Sequence, residues 1–303
     1  MKYYQSIPEY YQAFGHTPPK LSYFDIRPFE QFYDEEKSEA RAFDMEPFRV
    51  DFYGIGVMTQ GTADAYLGRP FEGNIVFYSP YQLISFKGVA RNWKGYYILF
   101  NQDYVSRCSF GPGLLNDFPF LRLDNVQPVT ISTVEVAQLM PLLEKIYEEF
   151  NTVYADKFIL IESYLSLILH YIKRATQTVK IDDTDSKNNA EVYLVSQYRG
   201  LIEQQLSAEE VDKETLTTGF YSGKLNIHQN HLNSVVKRVT NQTAKQLIQN
   251  ALIARSKSLL IQTTLSIKEI SFHLGFDEPA HFSNFFKKHT SLTPAQFRQA
   301  HRL

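Results

Sequence analysis

SIKEISFHLGFDEPAHFSNFFKKHTSLTPAQFRQ, residues 266–299, decides the fold of the C-terminal part of this chain. Ser266, followed three residues later by Glu269, is a capping box and predicts that a helix begins here. Gly275 predicts the end of that helix, because glycine readily adopts the left-handed conformation of a tight turn. Pro279 suits the first turn of the next helix, where its missing N–H costs no hydrogen bond. The stretch therefore predicts a helix-turn-helix.

The second helix of this unit has an apolar face and a polar face. We predict that Phe282, Phe285 and Phe286 fill the core. The outward residues are Glu278, Ala280, His281, Asn284 and Lys287, and Lys288 is placed to reach a phosphate. Polar side chains on such a face are suited to contact base edges and phosphates.

A second pattern of this kind lies upstream, in YSGKLNIHQNHLNSVVKRVT, residues 221–240. We predict its turn around Asn226–Ile227. The buried stripe of its second helix is Leu232, Val235, Val236 and Val239. This leaves a polar surface made of His228, Gln229, Asn230, His231, Asn233, Ser234 and Lys237. The sequence thus predicts a second helix-turn-helix.

One long helix is predicted between the two units, in AKQLIQNALIARSKSLLIQT, residues 244–263. Its residues at helical spacing are Leu247, Ile248, Ala251, Leu252, Ser256, Leu259 and Leu260. Residues 191–206 and 213–216 are predicted as short helices that open the domain.

The charge is distributed unevenly along the chain. Residues 1–185 carry 17 Lys+Arg against 24 Asp+Glu, a net charge of −7, whereas residues 186–303 carry 14 against 9, a net charge of +5. From Thr215 onward the count is 11 basic to 3 acidic residues, a net charge of +8. A basic region attached to an acidic one indicates a polyanion partner for the basic region, although a merely well-solvated surface is an alternative.

These features resemble the AraC/XylS transcription regulators, whose C-terminal domain holds two helix-turn-helix units joined by a long helix. The resemblance rests on residues 220–240, on SKSLL at 256–260 and above all on residues 266–298. The family's pattern in the last stretch is met by Ile267, Glu269, Ile270, Gly275, Phe276, Phe282, Phe286, Lys287, Lys288, Thr293, Pro294, Phe297 and Arg298. Asn241 and Ser291 stand where the family often has glycine, and Gln229 stands where it often has proline.

The resemblance implies that the two units read adjacent major grooves of double-stranded DNA, about 34 Å apart. Predicted base contacts are His228, Gln229, Asn230, His231, Asn233, Glu278, Ala280, His281 and Asn284. Predicted phosphate contacts are Lys224, Lys237, Arg238, Lys287, Lys288 and Arg298. It also implies RNA polymerase as a partner and activation as the usual outcome, with no cofactor.

The first 125 residues are predicted to form short strands, at 21–27, 49–60, 74–80, 82–86 and 95–101. Frequent glycines between β-branched and aromatic runs favour a small barrel or sandwich. This part resembles the cupin-type sensor barrel that is often attached to such regulators. Residues 1–175 contain only two histidines, His16 and His170, so we expect no catalytic cupin metal site.

Aromatic residues are concentrated in this region, with 28 of the 44 in the first 120 positions. A barrel with surplus aromatic residues can line a pocket for a small organic ligand, although most of these side chains could equally be plain core. The candidate pocket residues are Tyr53, Tyr78, Phe86, Trp93 and Tyr97.

Two amphipathic helices follow the strands. The first carries Val136, Leu139, Met140, Leu143, Ile146, Tyr147 and Phe150 on one face, and the second carries Phe158, Ile161, Leu165, Ile168, Leu169 and Ile172. Their combined apolar width predicts a homodimer interface. The alternative is that both helices pack only on their own barrel.

The predicted fold class is α+β: a cupin-like β-barrel with two dimerisation helices, followed by an all-α domain. The predicted domains are 1–178 for sensing and dimerisation and 191–303 for DNA binding. The polar stretch 179–190 is predicted to link them. The alternative to a ligand sensor is an orphan regulator whose N-terminal domain only dimerises.

Other classes of protein fit less well. The first fourteen residues lack a secretory pattern and the apolar stretch 158–172 is too short to span a membrane, so we expect a cytoplasmic protein without membrane contact. Cys108 is the only cysteine, which excludes an intrachain disulfide. A cupin-like isomerase or oxygenase with a DNA-binding tail would need a metal cluster that is missing, so we expect no enzyme.

Overall fold

The structure is a computed structural model, and its residues divide into two compact units. Unit 1 contains Met1–Asn101 and Phe118–Thr184, and unit 2 contains Gln102–Asp117 and Asp185–Leu303. The residues that the structure describes are 2–32, 41–44, 46–62, 65–66, 74–124, 128–178 and 190–301.

The strands belong to unit 1. They are β1 (Lys2–Tyr4), β2 (Phe24–Pro28), β3 (Arg41–Asp44), β4 (Phe48–Val50), β5 (Tyr53–Thr62), β6 (Ala65–Tyr66), β7 (Ile75–Tyr78), β8 (Leu83–Ile84) and β9 (Phe86–Phe100). One sheet has the order β1-β4-β8, and the other has the order β2-β9-β5-β7, with β3 and β6 also paired to β9. Within the described ranges these strands form two sheets and no closed barrel, so the predicted cupin-like barrel is not confirmed.

Strand β9 differs from its prediction. The strand predicted at 82–86 corresponds to the short β8, Leu83–Ile84, whereas the strand predicted at 95–101 begins much earlier, because β9 runs without interruption from Phe86 to Phe100. Gly95, at φ +128°, lies at a register irregularity against Met58 rather than at a strand end. A Cβ at Gly95 would lie 2.1 Å from the carbonyl oxygen of Val57, so this position requires glycine.

The helices alternate between the two units along the chain. They are α1 (Ile7–Ala13), α2 (Gln102–Val105), α3 (Leu114–Asp117), α4 (Thr133–Phe150), α5 (Lys157–Thr178), α6 (Ala190–Leu206), α7 (Thr218–Lys224), α8 (Gln229–Thr240), α9 (Ala244–Gln262), α10 (Ile267–His273), α11 (Pro279–Thr290) and α12 (Pro294–His301). The predicted positions of α4 to α6 and of the C-terminal helices are confirmed within a few residues.

Helix α4 packs on α5 and on strands β2, β5 and β9. Of the predicted apolar faces, Val136, Leu139, Leu143, Ile146, Phe150, Ile161, Leu165, Ile168, Leu169 and Ile172 are each at most 6% exposed. These faces are therefore covered within the chain itself, and the dimer interface inferred from their width is not confirmed. A different face of α5 is exposed instead, with Leu160, Leu167 and Tyr171 on it.

The division into units differs from the predicted domains at one place. Residues 102–117, including α2 and α3, pack in unit 2, although they follow directly on β9. The physical reason is that their apolar side chains are buried with α6 and α9, which sequence periodicity does not reveal. Of the predicted linker, residues 179–189 lie outside the described residues.

Candidate nucleic-acid interface

The first helix-turn-helix consists of α7 and α8. Asn226, at φ 53°, forms the turn between them, as predicted. His228 precedes α8, and its Nδ1 accepts a hydrogen bond from the backbone N–H of Asn230 at 3.2 Å. The predicted stripe of Leu232, Val235, Val236 and Val239 is buried, which confirms which face of α8 points away from solvent.

The second helix-turn-helix consists of α10 and α11. The predicted capping box is confirmed: Ser266 N donates to Glu269 Oε2 at 2.7 Å, and Glu269 N donates to Ser266 Oγ at 3.2 Å. These bonds hold the pKa of the Glu269 carboxyl below its ordinary value. Gly275 has φ +77°, and a Cβ there would lie 2.7 Å from the Val211 carbonyl oxygen, so the turn needs glycine.

The aromatic core of the second helix-turn-helix is largely as predicted. Phe282 and Phe286 are fully buried. Phe285 is half-buried instead and packs between Phe276 and His289, with ring centroids 5.5 Å and 4.5 Å away. The α11 backbone is therefore anchored by two phenylalanines, and its opposite face is exposed.

Helix α9 joins the two helix-turn-helix motifs, both of which lie in unit 2. It begins with a capping box between Thr243 and Gln246, which the sequence analysis did not single out. The Tyr198 hydroxyl of α6 donates to the carbonyl oxygen of Ala244 at 2.8 Å and holds this end. The predicted apolar positions of α9 are buried, except that Ala251 is half-buried. Both helix-turn-helix units are thus carried by one continuous helix.

The second helices of the two helix-turn-helix motifs, α8 and α11, are each followed by a residue in the left-handed conformation. Asn241 follows α8 at φ 59°, and Ser291 follows α11 at φ 64°. At these two positions the AraC/XylS regulators, which the sequence resembles, often have glycine. Asparagine tolerates this conformation better than serine does, so the strain is greater at Ser291.

The predicted base-contacting residues are all solvent-exposed. They comprise His228, Gln229, Asn230, His231, Asn233, Glu278, Ala280, His281 and Asn284. Their assignment to bases stays a prediction. Gln229 donates to the Thr218 hydroxyl, and Glu278 lies 3.8 Å from His281, between Oε2 and Nε2.

The side chain of Asn233 also links two helices. Its Oδ1 accepts a hydrogen bond at 3.1 Å from the backbone N–H of Ala244, the first residue of α9. That amide is one of the unpaired donors at a helix start, so Asn233 ties α8 to α9. This role has no local signature in the sequence, because the two residues belong to different helices.

The predicted phosphate-contacting residues fall into two groups. Lys224, Lys237, Lys287 and Lys288 are exposed. Arg298 is half-buried, and its Nε donates to the carbonyl oxygen of Leu260 at 3.1 Å, so its side chain packs α12 onto α9.

Arg238 is held by a carboxylate that the sequence analysis did not identify. Its guanidinium donates to both carboxylate oxygens of Glu191, in α6, and to Ser234 Oγ at 2.8 Å. The bond from Arg238 lowers the pKa of the Glu191 carboxyl. The 47 positions that separate the two residues leave no local signal for this pair.

The candidate ligand-pocket residues lie in unit 1. Tyr53 is buried and stacks on Phe100 at 5.4 Å between centroids. Tyr97 is buried, and its hydroxyl accepts a hydrogen bond from Tyr11 at 3.1 Å. Tyr78 is half-buried against the core. The side chains of Phe86 and Trp93 lie outside the described part of the chain.

The described residues contain no group of three or more His, Cys, Asp or Glu side chains arranged to hold a metal ion. Among these same residues, no helix combines the length and the apolar character needed to cross a membrane.

Comparison with known proteins supports the geometry of unit 2. Residues 221–300 match the family model described as a helix-turn-helix domain. The Msm operon regulatory protein of Streptococcus mutans is 30% identical over 115 residues, which cover 38% of this chain and 39% of that protein. The matched stretch therefore spans less than half of that relative.

A longer but weaker similarity links the chain to the lactose operon transcription activator of Staphylococcus xylosus, at 22% identity over 80% of this chain and 82% of that protein. Among solved structures, ToxT from Vibrio cholerae is similar over 92% of this chain and 98% of that chain, with 14% identity and a TM-score of 0.33. In its two helix-turn-helix units the chain is thus similar to transcription regulators of the AraC type, and the match to the family model is confined to residues 221–300.

Proposed function

We propose that this protein is a sequence-specific DNA-binding transcription regulator in which one chain reads a bipartite site. The observation that carries the proposal is that α9 holds two helix-turn-helix units whose second helices, α8 and α11, both expose polar faces. With 19 residues at about 1.5 Å each, α9 is about 28 Å long, close to the ~34 Å between successive major grooves.

Sequence reading is assigned to the exposed polar residues at the start of each second helix. Their side chains carry hydrogen-bond donors and acceptors that can pair with base edges. These residues are His228, Asn230 and His231 in the first helix-turn-helix, and His281 and Asn284 in the second. Asn233 contributes only its amide nitrogen, because its oxygen already bonds α9.

Sequence-independent attraction is assigned to exposed lysines. Lys224 lies in the last turn of α7 and Lys237 in the last turn of α8, and Lys287 and Lys288 lie in the last turn of α11. They belong to the region with a net charge of +8, which favours association with a polyanion.

Selection of binding sites from randomised duplex DNA tests this proposal. The purified full chain is expected to enrich two short motifs whose centres lie about 10 base pairs apart. Enrichment of one short motif alone, or of no motif, would contradict reading by both units.

For unit 1, we propose that it binds a small organic ligand, and that the protein acts in the cytoplasm as an activator that contacts RNA polymerase. Support comes from the aromatic-rich, acidic N-terminal region and from the name of the lactose operon transcription activator, the relative that matches most of both chains. A thermal-shift screen with sugars, aromatic acids and lipids tests ligand binding. A complete lack of shifts at millimolar concentration would contradict it.

A second candidate is that unit 1 only dimerises. It is favoured by the exposed Leu160, Leu167 and Tyr171, which lie at helical spacing on α5, and by the tight packing of Tyr53 and Tyr97 in the core. Sedimentation equilibrium would then give a homodimer, and Leu167→Glu would convert it to a monomer. A monomer at micromolar concentration would contradict this candidate.

A further inference from the structure

Residues 102–117, here called the strap, link a strand of unit 1 to the helices of unit 2. Strand β9 ends at Phe100, and the strap begins two residues later. The chain returns to unit 1 at Phe118. The strap therefore belongs to the unit that carries both helix-turn-helix motifs, although both of its ends continue into the other unit.

Polar contacts fix the strap to α9. Gln262 Nε2, in the last turn of α9, donates to the carbonyl oxygen of Cys108 at 2.7 Å. Lys257, whose side chain is only 19% exposed, forms an ion pair with Asp103. Both contacts lie in the half of α9 that leads into the second helix-turn-helix.

The strap is also fixed to α6. The Glu203 carboxylate accepts a hydrogen bond from the backbone N–H of Leu115, with 3.0 Å to each of its oxygens. Five hydrophobic residues of the strap are at most 6% exposed, namely Tyr104, Val105, Cys108, Leu114 and Leu115, and Ser106 is buried as well. The strap is thus a packed part of unit 2.

The fold of the strap depends on a close approach within it. A Cβ at Gly111 would lie 2.1 Å from the carbonyl oxygen of Val105, so a side chain there forces the backbone apart. Gly223, in α7, has nothing within 4 Å of the corresponding position. The two glycines therefore offer a matched pair of alanine substitutions.

We propose that the strap is a positioning element that holds the C-terminal half of α9 in place. Because α9 carries both recognition units, release of the strap changes the spacing at which they meet DNA. Only this last effect rests on the proposed function, since the attachment of the strap to α9 can be measured without DNA.

The first test measures attachment in the full-length protein. Cys108 is the only cysteine and is buried in the strap, so its reaction rate with a thiol reagent reports strap opening. Gln262→Ala is expected to raise this rate about five-fold, the effect of one lost hydrogen bond on a local opening equilibrium. Gly111→Ala is expected to raise it further, whereas Gly223→Ala and the exposed-site control Gln299→Ala leave it unchanged.

Hydrogen exchange of the same variants tests the effect on α9. Opening the strap is expected to speed exchange in the C-terminal half of α9 and in α6, and not in α8. Reaction of Cys108 in the unaltered protein as fast as in urea would overturn the proposal. Unchanged exchange of α9 in a variant whose Cys108 is exposed would overturn it as well.

The DNA arm uses duplexes from the site selection with the two half-sites moved by one base pair. Gln262→Ala is expected to lower the preference for the native spacing at least three-fold, while overall binding persists. If a variant with an open strap kept the same preference for the native spacing, the proposed effect of the strap on the two recognition helices would be overturned. Absence of DNA binding by the unaltered protein would instead refute the proposed function. The thiol-reaction and hydrogen-exchange results would still show whether the strap is attached to α9.

Discussion

Glu191 and Arg238 form a two-point ion pair between the first turn of α6 and the recognition helix α8. Arg238 Nη2 donates to Glu191 Oε1 at 2.6 Å, and Nε donates to Oε2 at 3.2 Å. The guanidinium that the sequence assigns to phosphate is therefore occupied by a carboxylate of its own domain. In the proposed DNA complex, a phosphate would compete with Glu191 for this side chain.

Replacing Glu191 by Gln is expected to tighten DNA binding several-fold, because it leaves Arg238 available to a phosphate. The slope of log affinity against log salt should steepen by about one unit, the contribution of one phosphate contact. Fluorescence anisotropy at several salt concentrations measures both quantities. Glu209→Gln changes the net charge equally at an exposed site outside this pair. If both variants bind with the same slope, the Glu191 effect is merely one of net charge.

Substitutions on α11 should separate base contacts from phosphate contacts. We expect His281→Ala and Asn284→Ala to lower the preference for the selected base at their positions about ten-fold. Lys287→Ala should weaken binding to all sequences alike, because a phosphate contact carries no sequence information. Site selection with each variant provides the measurement. An unchanged motif for His281→Ala would show that this side chain reads no base.

Local patterns predicted the C-terminal domain well. The box at Ser266, the glycine turn at Gly275 and the buried stripe around Leu232 depend on contacts within one or two helical turns, which a sequence displays directly. The pairs Glu191–Arg238 and Asn233–Ala244 join residues on different helices and have no such local signature.

Unit 1 was harder to predict for the same reason. Glycine is typical of a strand boundary, but Gly95 lies within β9 against Val57 of the partner strand, so β9 begins nine residues earlier than predicted. The faces of α4 and α5 were identified correctly. The elements that cover these faces could not be identified from the sequence, because periodicity shows that a helix face is apolar without showing what packs on it.

Asn233→Ala is expected to destabilise the domain by about 1 kcal/mol, since it removes the acceptor for the first amide of α9. Thermal or urea unfolding measures this loss. Asn230→Ala provides the control at an exposed position of the same helix, and it should leave stability nearly unchanged. Equal stability of the two variants would contradict a capping role for Asn233.

Ser291→Gly is expected to stabilise the protein by about 1 kcal/mol, because glycine relieves the left-handed strain after α11. Asn241→Gly, at the equivalent position after α8, should gain less, since asparagine tolerates this conformation. Urea unfolding of both variants gives the comparison. A larger gain at Asn241 than at Ser291 would contradict the assignment of strain.

The most direct test of the central claim is fluorescence anisotropy of the purified full chain on its own upstream promoter fragment, against a scrambled duplex, at several salt concentrations. The two helix-turn-helix units on α9 predict tighter binding to the promoter fragment, with a steep decrease of affinity as salt rises. Absence of binding to either duplex at low salt would contradict DNA recognition by this protein.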